Sequence, residues 1–224
     1  MKKMKAMTLG MALLAMVGCG TKQGTGALIG TGGGAVLGAI IGKIAGNTAV
    51  GAAIGGAVGA GTGALIGRHM DKKAAEIAAQ LPDAKVDKIT DANGLAGVKV
   101  TFDSGILFAT NKADLNSASK TQLAQFSNQL KNDPTLYVDV YGHTDSTGND
   151  GINIPWSNNR AQSVVNYLKS CGVPAGQFQN VLGKGSSEPV ADNATAEGKQ
   201  QNRRVEIYLY ASQAMIDAAN NGQL

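Results

Sequence analysis

Leu136-Tyr137-Val138-Asp139-Val140-Tyr141-Gly142-His143-Thr144-Asp145-Ser146-Thr147-Gly148 starts as a strand and ends as a polar turn. Residues 136–141 are dense in β-branched and aromatic side chains, which favour extended backbone, and the glycines and small polar residues after them break it. A helix is predicted next, over about 154–171, with Val164, Val165 and Leu168 on its buried face and a stop at Gly172 and Pro174. The segments on either side repeat this alternation. Upstream, Val98-Lys99-Val100-Thr101-Phe102 has the period of a strand, and a helix begins at Leu115-Asn116-Ser117. That helix has apolar positions at Leu123, Phe126 and Leu130 and stops near Asp133-Pro134. Downstream, 178–182 reads as a short strand and 203–210 as the last one, with Val205, Ile207 and Leu209 alternating against Glu206 and Tyr208. The order βαβαββ predicts an α/β sandwich with two helices on one face of a mixed sheet.

The chemistry of the chain gathers around the turn. Asp145 follows the strand, Asn153 and Arg160 fall at the start of and inside the next helix, and Asn202-Arg203-Arg204 opens the last strand. A carboxylate at a strand end, a guanidinium on the adjacent helix and a further arginine nearby suit a zwitterionic ligand. The carboxylate holds an ammonium, and arginine grips a carboxylate in two parallel hydrogen bonds. The competing reading of Asp145 and Arg160 is an ion pair that only braces the fold. His143 reads as structural.

These residues carry a resemblance. Gly142-His143-Thr144-Asp145, Asn153, Ser157, Arg160-Ala161 and Asn202-Arg203-Arg204-Val205-Glu206 resemble the OmpA-like peptidoglycan-binding domain. Phe102-Asp103-Ser104, Gly183-Lys184-Gly185 and Glu188-Pro189-Val190-Ala191 fit the same pattern, so the likeness covers about 96–211. It implies that the ligand is the diaminopimelate group of the peptidoglycan stem peptide. Asp145 would take its ammonium and Arg160 its carboxylate, Asn153 and Arg203 would line the site, and Thr144 and Asp103 would frame it. One departure stands out. Ile154-Pro155-Trp156-Ser157 lies where the family usually has Leu before the Ser. Pro155 is expected in the first turn of the helix, where proline is tolerated. Trp156 either packs as the leucine does or alters the rim of the pocket.

An enzyme acting on the wall would need a nucleophile with its base, a metal cluster or paired carboxylates. The domain has one His and one Cys, His143 and Cys171, with no third partner in view, and Cys171 reads as an apolar filler. Asp145 with Glu188 is a conceivable carboxylate pair, but nearby arginines would keep both charged and leave no acid. The expectation is a binding protein without catalytic residues, metal or cofactor.

All ten Phe, Tyr and Trp residues lie between Phe102 and Tyr210, so the large-residue core belongs to the C-terminal part of the 224-residue chain. The basic excess is misleading. Lys2, Lys3 and Lys5 lie in a segment expected to be removed, and the remaining 20 − 3 Lys and Arg nearly balance the 16 acidic residues. No concentrated basic face argues for nucleic acid.

Residues 1–5 are basic, 6–17 are apolar but too short to span a bilayer comfortably, and Met16-Val17-Gly18-Cys19 follows. This resembles a bacterial lipoprotein signal, with Cys19 as the lipidated residue; an ordinary signal peptide with an incidental cysteine is the alternative. Several acyl chains on one cysteine exceed the two signals that stable anchoring needs. Gly20 lacks the aspartate that retains enterobacterial lipoproteins at the inner membrane. The expected location is therefore the outer membrane, with the C-terminal domain in the periplasm.

Between Gly24 and Gly67 the only charge is Lys43, and two runs of glycine recur every four residues, from Gly26 to Gly46 and from Gly51 to Gly67. That spacing lines one face of a helix with glycine and lets another backbone approach. Two helices are expected, about 25–46 and 49–68, turned at Gly46-Asn47-Thr48. Three arrangements compete: a membrane-inserted hairpin, a surface-lying or self-assembling zipper that would make a homo-oligomer, and a flexible linker. The linker fits least, because linkers are usually polar. The combination is similar to OmpA-family lipoproteins with a glycine zipper. The chain is thus divided into a lipoprotein signal (1–18), a lipidated N-terminus and short linker (19–24), an all-α glycine-zipper hairpin (25–68), a connector (69–95), the OmpA-like α/β domain (96–211) and a tail (212–224). Within the connector a short helix over about 70–80 is expected, then at most one strand. His69 reads as a solvated side chain. The expected function is a tether between membrane lipid and wall, with a glycine-zipper scaffold or assembly factor as the alternative.

Overall fold

A computed structural model describes residues 60–91, 94–108 and 112–224. The signal segment, Cys19, the glycine helix expected at 25–46, its turn and most of the helix expected at 49–68 lie outside the described residues. Among the described residues, no helix is long and apolar enough to cross a membrane.

The chain runs α1 (Ala60–Gln80), β1 (Lys85–Thr90), β2 (Ala96–Asp103), α2 (Ser104–Leu107), α3 (Ser117–Lys131), β3 (Leu136–Gly142) and α4 (Asp150–Ser170). After a 3₁₀ turn at Ala175–Gln177 come β4 (Phe178–Gly183), α5 (Ala196–Asn202), β5 (Arg204–Ala211) and α6 (Gln213–Asn220). The strands form one mixed sheet in the order β1-β2-β5-β3-β4. β5, the last strand in the chain, lies in the middle, antiparallel to both β2 and β3. β3 and β4 are parallel, and α4 is their crossover.

Val98, Val100 and Phe102 of β2 pair with Leu209, Ile207 and Val205 of β5, and Val138 and Val140 of β3 meet the other side of Leu209 and Ile207. All are fully buried and share one core with Leu123, Phe126 and Leu130 of α3 and Val164, Val165 and Leu168 of α4. Phe102 meets Phe126 edge to face, with centroids 6.3 Å apart. This is the α/β sandwich expected. The helix ends follow local chemistry. Asn116 caps α3 by accepting from Ser119 N at 2.8 Å. Gly172, at φ +91°, closes α4 as Val173 N donates to Leu168 O and Gly172 N to Lys169 O.

The opposite face of the sheet is polar and aromatic. The buried Asp139 carboxylate there accepts from Tyr141 Oη at 2.9 Å, Tyr210 Oη at 3.1 Å and both Asn180 N and Nδ2 at 3.0 Å. Burial raises the Asp139 pKa despite these hydrogen bonds.

Three expectations change. First, α1 is continuous through Arg68, so the expected end of one helix at 68 and start of another at 70 are not seen. Ile66, Met70, Ala74, Ile77 and Leu81 are buried in the same core as the sheet. Arg68, Asp71 and Lys72 fall on the exposed side, where charge does not interrupt a helix. The stretch read as a connector is therefore α1 and the edge strand β1. Gly63 and Gly67 lie away from the core, since a Cβ added to either meets nothing within 4 Å among the described residues. Second, His69 is paired. Its Nε2 lies 2.6 Å from Asp133 Oδ2, and the buried Lys73 reaches Gln129 Oε1 at 3.4 Å and Asp133 Oδ2 at 3.8 Å. The tail, weakly helical by its sequence, forms α6, with Met215, Ile216 and Ala219 buried and Thr62 Oγ1 donating to Asn220 Oδ1 at 2.6 Å. Third, α4 starts at Asp150, so Pro155 lies inside the helix rather than in its first turn. Proline lacks the N–H that would bond four residues back. Here that position is Gly151, at an exposed point of the helix where a freed carbonyl is within reach of water. Ser157 Oγ occupies the loosened stretch, within 2.8 Å of Asn153 O and 3.0 Å of Ile154 O.

Candidate functional site

The loop after β3 is held by its neighbours. His143 N donates to Arg204 O at 2.9 Å and Thr144 N to Gly185 O at 2.9 Å, which fixes Thr144 and Asp145 beyond the strand end. α4 then lies directly on the ends of β3 and β4. A Cβ at Gly142 would collide with the Ser157 carbonyl, and one at Gly183 with Asn158 N and Ile154 O. Glycine at these two positions lets the helix backbone settle against the sheet. Asn153, Trp156 and Arg160, three and four residues apart, then share one face of α4 turned to the loop.

Between them lies a cavity of about 640 Å³. It is lined by Asp103, Thr144, Asp145, Asn153, Arg160 and Arg203, together with Ser104, Gly105, Phe108, Thr147, Ile152, Trp156 and Gln200. All six residues singled out in the sequence thus meet in one place. Three distant segments bring them there: the β2–α2 junction, the β3–α4 turn with the first half of α4, and the α5–β5 junction.

Their pairing differs from a simple Asp145–Arg160 contact. Asp145 Oδ2 accepts from Arg203 Nη1 at 2.6 Å, and Oδ1 accepts from Thr147 N at 2.8 Å. Burial by itself would raise the Asp145 pKa, but the Arg203 and Thr147 hydrogen bonds outweigh it and the pKa is lowered. Arg160 is buried, with 6% of its surface exposed. Its Nε donates to Lys112 O at 3.3 Å and its Nη1 to Ser104 Oγ at 3.5 Å. Among the described residues no carboxylate lies within ion-pair distance of it. Burial lowers its pKa, Arg203 adds to the effect and Asp145 opposes it. Asp103 caps α2 by accepting from Gly105 N at 2.7 Å and also meets Gln200 Nε2 at 3.3 Å.

Two polar groups at the cavity are unpaired. Thr144 Oγ1 and Asn153 Nδ2 are buried and have no hydrogen-bond partner among the described residues. Such groups normally meet water or a ligand. The site therefore offers an anion a guanidinium and two neutral groups, and offers a cation one carboxylate already shared with Arg203.

The rest of the arginine motif is structural. Asn202 is fully buried and accepts from Val190 N and Ala191 N at 2.8 and 3.0 Å. Arg204 turns to the polar sheet face, where Nε donates to Glu206 Oε1 at 2.8 Å. His143 Nε2 lies 3.6 Å from Glu206 Oε2, too long for a good hydrogen bond. Burial would raise the Glu206 pKa, but His143, Arg204 and Tyr208 hold it well below the usual carboxylate range. Glu188 faces Lys184 at 3.5 Å and is absent from the cavity lining, so it forms no carboxylate pair with Asp145 there. Sequence reasoning missed Phe108, Ile152 and Gln200 as cavity residues. Nothing in their local pattern marks them; only the meeting of the three segments does.

A sequence profile of the OmpA family matches residues 107–203, and one described as a glycine zipper matches 29–74. The outer-membrane lipoprotein YfiB of Pseudomonas aeruginosa is 37% identical over 115 residues, covering 51% of this chain and 68% of that protein. The chain belongs to the OmpA family. Another relative, the peptidoglycan-binding protein ArfA of Mycobacterium tuberculosis, is 38% identical over 132 residues, which is 59% of this chain. The alignment spans only 40% of ArfA's own length, so the likeness is one of domain. Among solved structures, the cell wall anchor of the T6SS from Pseudomonas aeruginosa superposes with a TM-score of 0.53 at 28% identity, covering 64% of this chain and 97% of that one. The OmpA-family region includes Thr144, Asp145, Asn153, Arg160 and Arg203, while Asp103 falls just before it.

Proposed function

We propose that this protein binds peptidoglycan non-covalently and ties an envelope membrane to the wall. The observation that carries the reading is the cavity. It brings to one space an acid, Asp145, and a buried arginine, Arg160, that has no carboxylate partner among the described residues, with Thr144 Oγ1 and Asn153 Nδ2, which are unpaired among the same residues. A ligand bearing an ammonium and a carboxylate on one short chain matches that layout, and the diaminopimelate side group of the stem peptide is such a ligand. Its carboxylate would meet Arg160, with Thr144 and Asn153 alongside. Its ammonium would share the Asp145 carboxylate with Arg203. No bond is made or broken in this reading. The names of ArfA and of the T6SS anchor support wall binding, and the lipoprotein YfiB supports an envelope location. Lipidation at Cys19, an outer-membrane location and a periplasmic domain complete the proposal.

The glycine-zipper scaffold is the second reading. It is favoured by the outward placement of Gly63 and Gly67 on α1 and by the zipper profile over 29–74. It concerns a different part of the chain and is compatible with tethering.

The test is co-sedimentation of the full chain in mild detergent with purified diaminopimelate-type sacculi. α1 must be retained, because it contributes to the core. Wild type should pellet with the wall, while Asp145→Ala and Arg160→Ala should stay in the supernatant with unchanged circular dichroism. Wild type remaining in the supernatant would refute the reading.

A further inference from the structure

Trp156 is the chain's single tryptophan and lies one helical turn before Arg160 on α4. The Arg160 Cζ sits 5.2 Å from the centroid of the Trp156 ring and 5.2 Å from that of Phe108. Both rings also line the cavity. Among the described residues the polar contacts of the guanidinium, at 3.3 and 3.5 Å, are at the long end for hydrogen bonds. A buried cation so weakly held would be expected to swing toward solvent. The ring faces offer it an electrostatic partner that costs little desolvation and still leaves its N–H groups free.

We propose that Trp156, together with Phe108, is a positioning residue: the two rings hold the Arg160 guanidinium so that its N–H fork faces the cavity before a ligand carboxylate arrives. This rests on the wall-binding reading above. A planar guanidinium against a ring directs its donors outward along its own plane, the geometry that a bidentate carboxylate requires. The i, i+4 spacing supplies the contact from within one helix. Ser157 Oγ, bonded to α4 carbonyls and accepting from Gly185 N at 3.0 Å, fixes the turn that presents Trp156. Trp156 is thus a functional part of the site.

The experiment is calorimetric titration of the full chain in detergent with two soluble muropeptides. One carries the free diaminopimelate side-chain carboxylate, and the other carries the same group as its amide. Wild type, Trp156→Leu and Trp156→Phe are compared, each with a thermal melt to establish folding. Leucine keeps apolar bulk but has no π face, so Trp156→Leu should weaken the free-acid ligand about tenfold. Trp156→Phe should restore most of that loss. The amide ligand should bind wild type and Trp156→Leu alike, because the rings act through Arg160 and its carboxylate partner. Equal weakening of both ligands by Trp156→Leu would mean that the indole touches the ligand directly and would overturn the proposal. Unchanged binding of the free acid would overturn it as well. If wild type binds neither ligand, the wall-binding reading falls and takes this inference with it, a result distinct from the other two.

Discussion

The place of α1 in the fold can be measured through a reporter on the other side of the core. Met70 and Ile77 are 1% and 0% exposed in the cluster that also holds the sheet and α4. Truncating a buried Met or Ile to Ala costs about 2–5 kcal/mol, from lost transfer energy and the cavity left behind. The two positions lie about 10 Å apart along the helix, far enough for their costs to add to within about 0.5 kcal/mol. Taking about 3 kcal/mol each, Met70→Ala with Ile77→Ala should remove about 6 kcal/mol, a large share of the roughly 5–15 kcal/mol that holds a domain together. With a urea slope of about 2 kcal/mol per molar, the midpoint should fall by about 3 M. The assay is urea denaturation of the full chain followed by fluorescence of Trp156, which sits on α4 and belongs to the cavity wall. Ala79→Ser, on the exposed side of α1, is the control and should leave the midpoint nearly unchanged. If α1 were only a connector, its truncations would leave the Trp156 transition where it is. An unshifted midpoint in the double variant would therefore refute the integration of α1 into one cooperative unit.

Two further predictions concern the site. Because the folded Asp145 pKa is lowered, its stabilising contribution is present above the unfolded carboxylate pKa of about 3.9 and is lost as pH falls through the folded value. The stability gap between wild type and Asp145→Asn should thus be constant from about pH 7 to pH 5 and close only below the ordinary carboxylate range, as thermal melts at stepped pH will reveal; a gap that closes near neutrality would contradict the Arg203 pairing. Gly142→Ala drives a Cβ into the Ser157 carbonyl and should lower both melting temperature and sacculus binding, whereas Gly61→Ala in α1 meets nothing within 4 Å and should leave binding intact and stabilise by up to about 1 kcal/mol.

Much of the fold was legible because its signals are local. The strand at 136–142, the α3 stripe of Leu123, Phe126 and Leu130, and the Gly172 stop each rest on residues a few positions apart. The six candidate residues were singled out through a family pattern, and the structure brings them to one cavity. What escaped was set by contacts distant in sequence. The break expected between helices at 68 and 70 falls among the charges Arg68, His69, Asp71 and Lys72. A helix, however, tolerates charge on one side while Ile66, Met70 and Ile77 stay buried on the other. His69 found Asp133, 64 residues away, and the tail found Thr62, 158 residues from Asn220.

The sequence by itself therefore determined the strand and helix alternation, the glycine period and the kinds of charge available to a ligand, because backbone propensity and side-chain chemistry act within a few residues. Only the tertiary structure decided that β5 enters between β2 and β3, that Asp145 pairs with Arg203, and that Phe108 and Trp156 lie against Arg160. Those outcomes depend on which distant surfaces bury one another, and burial is a property of the assembled core.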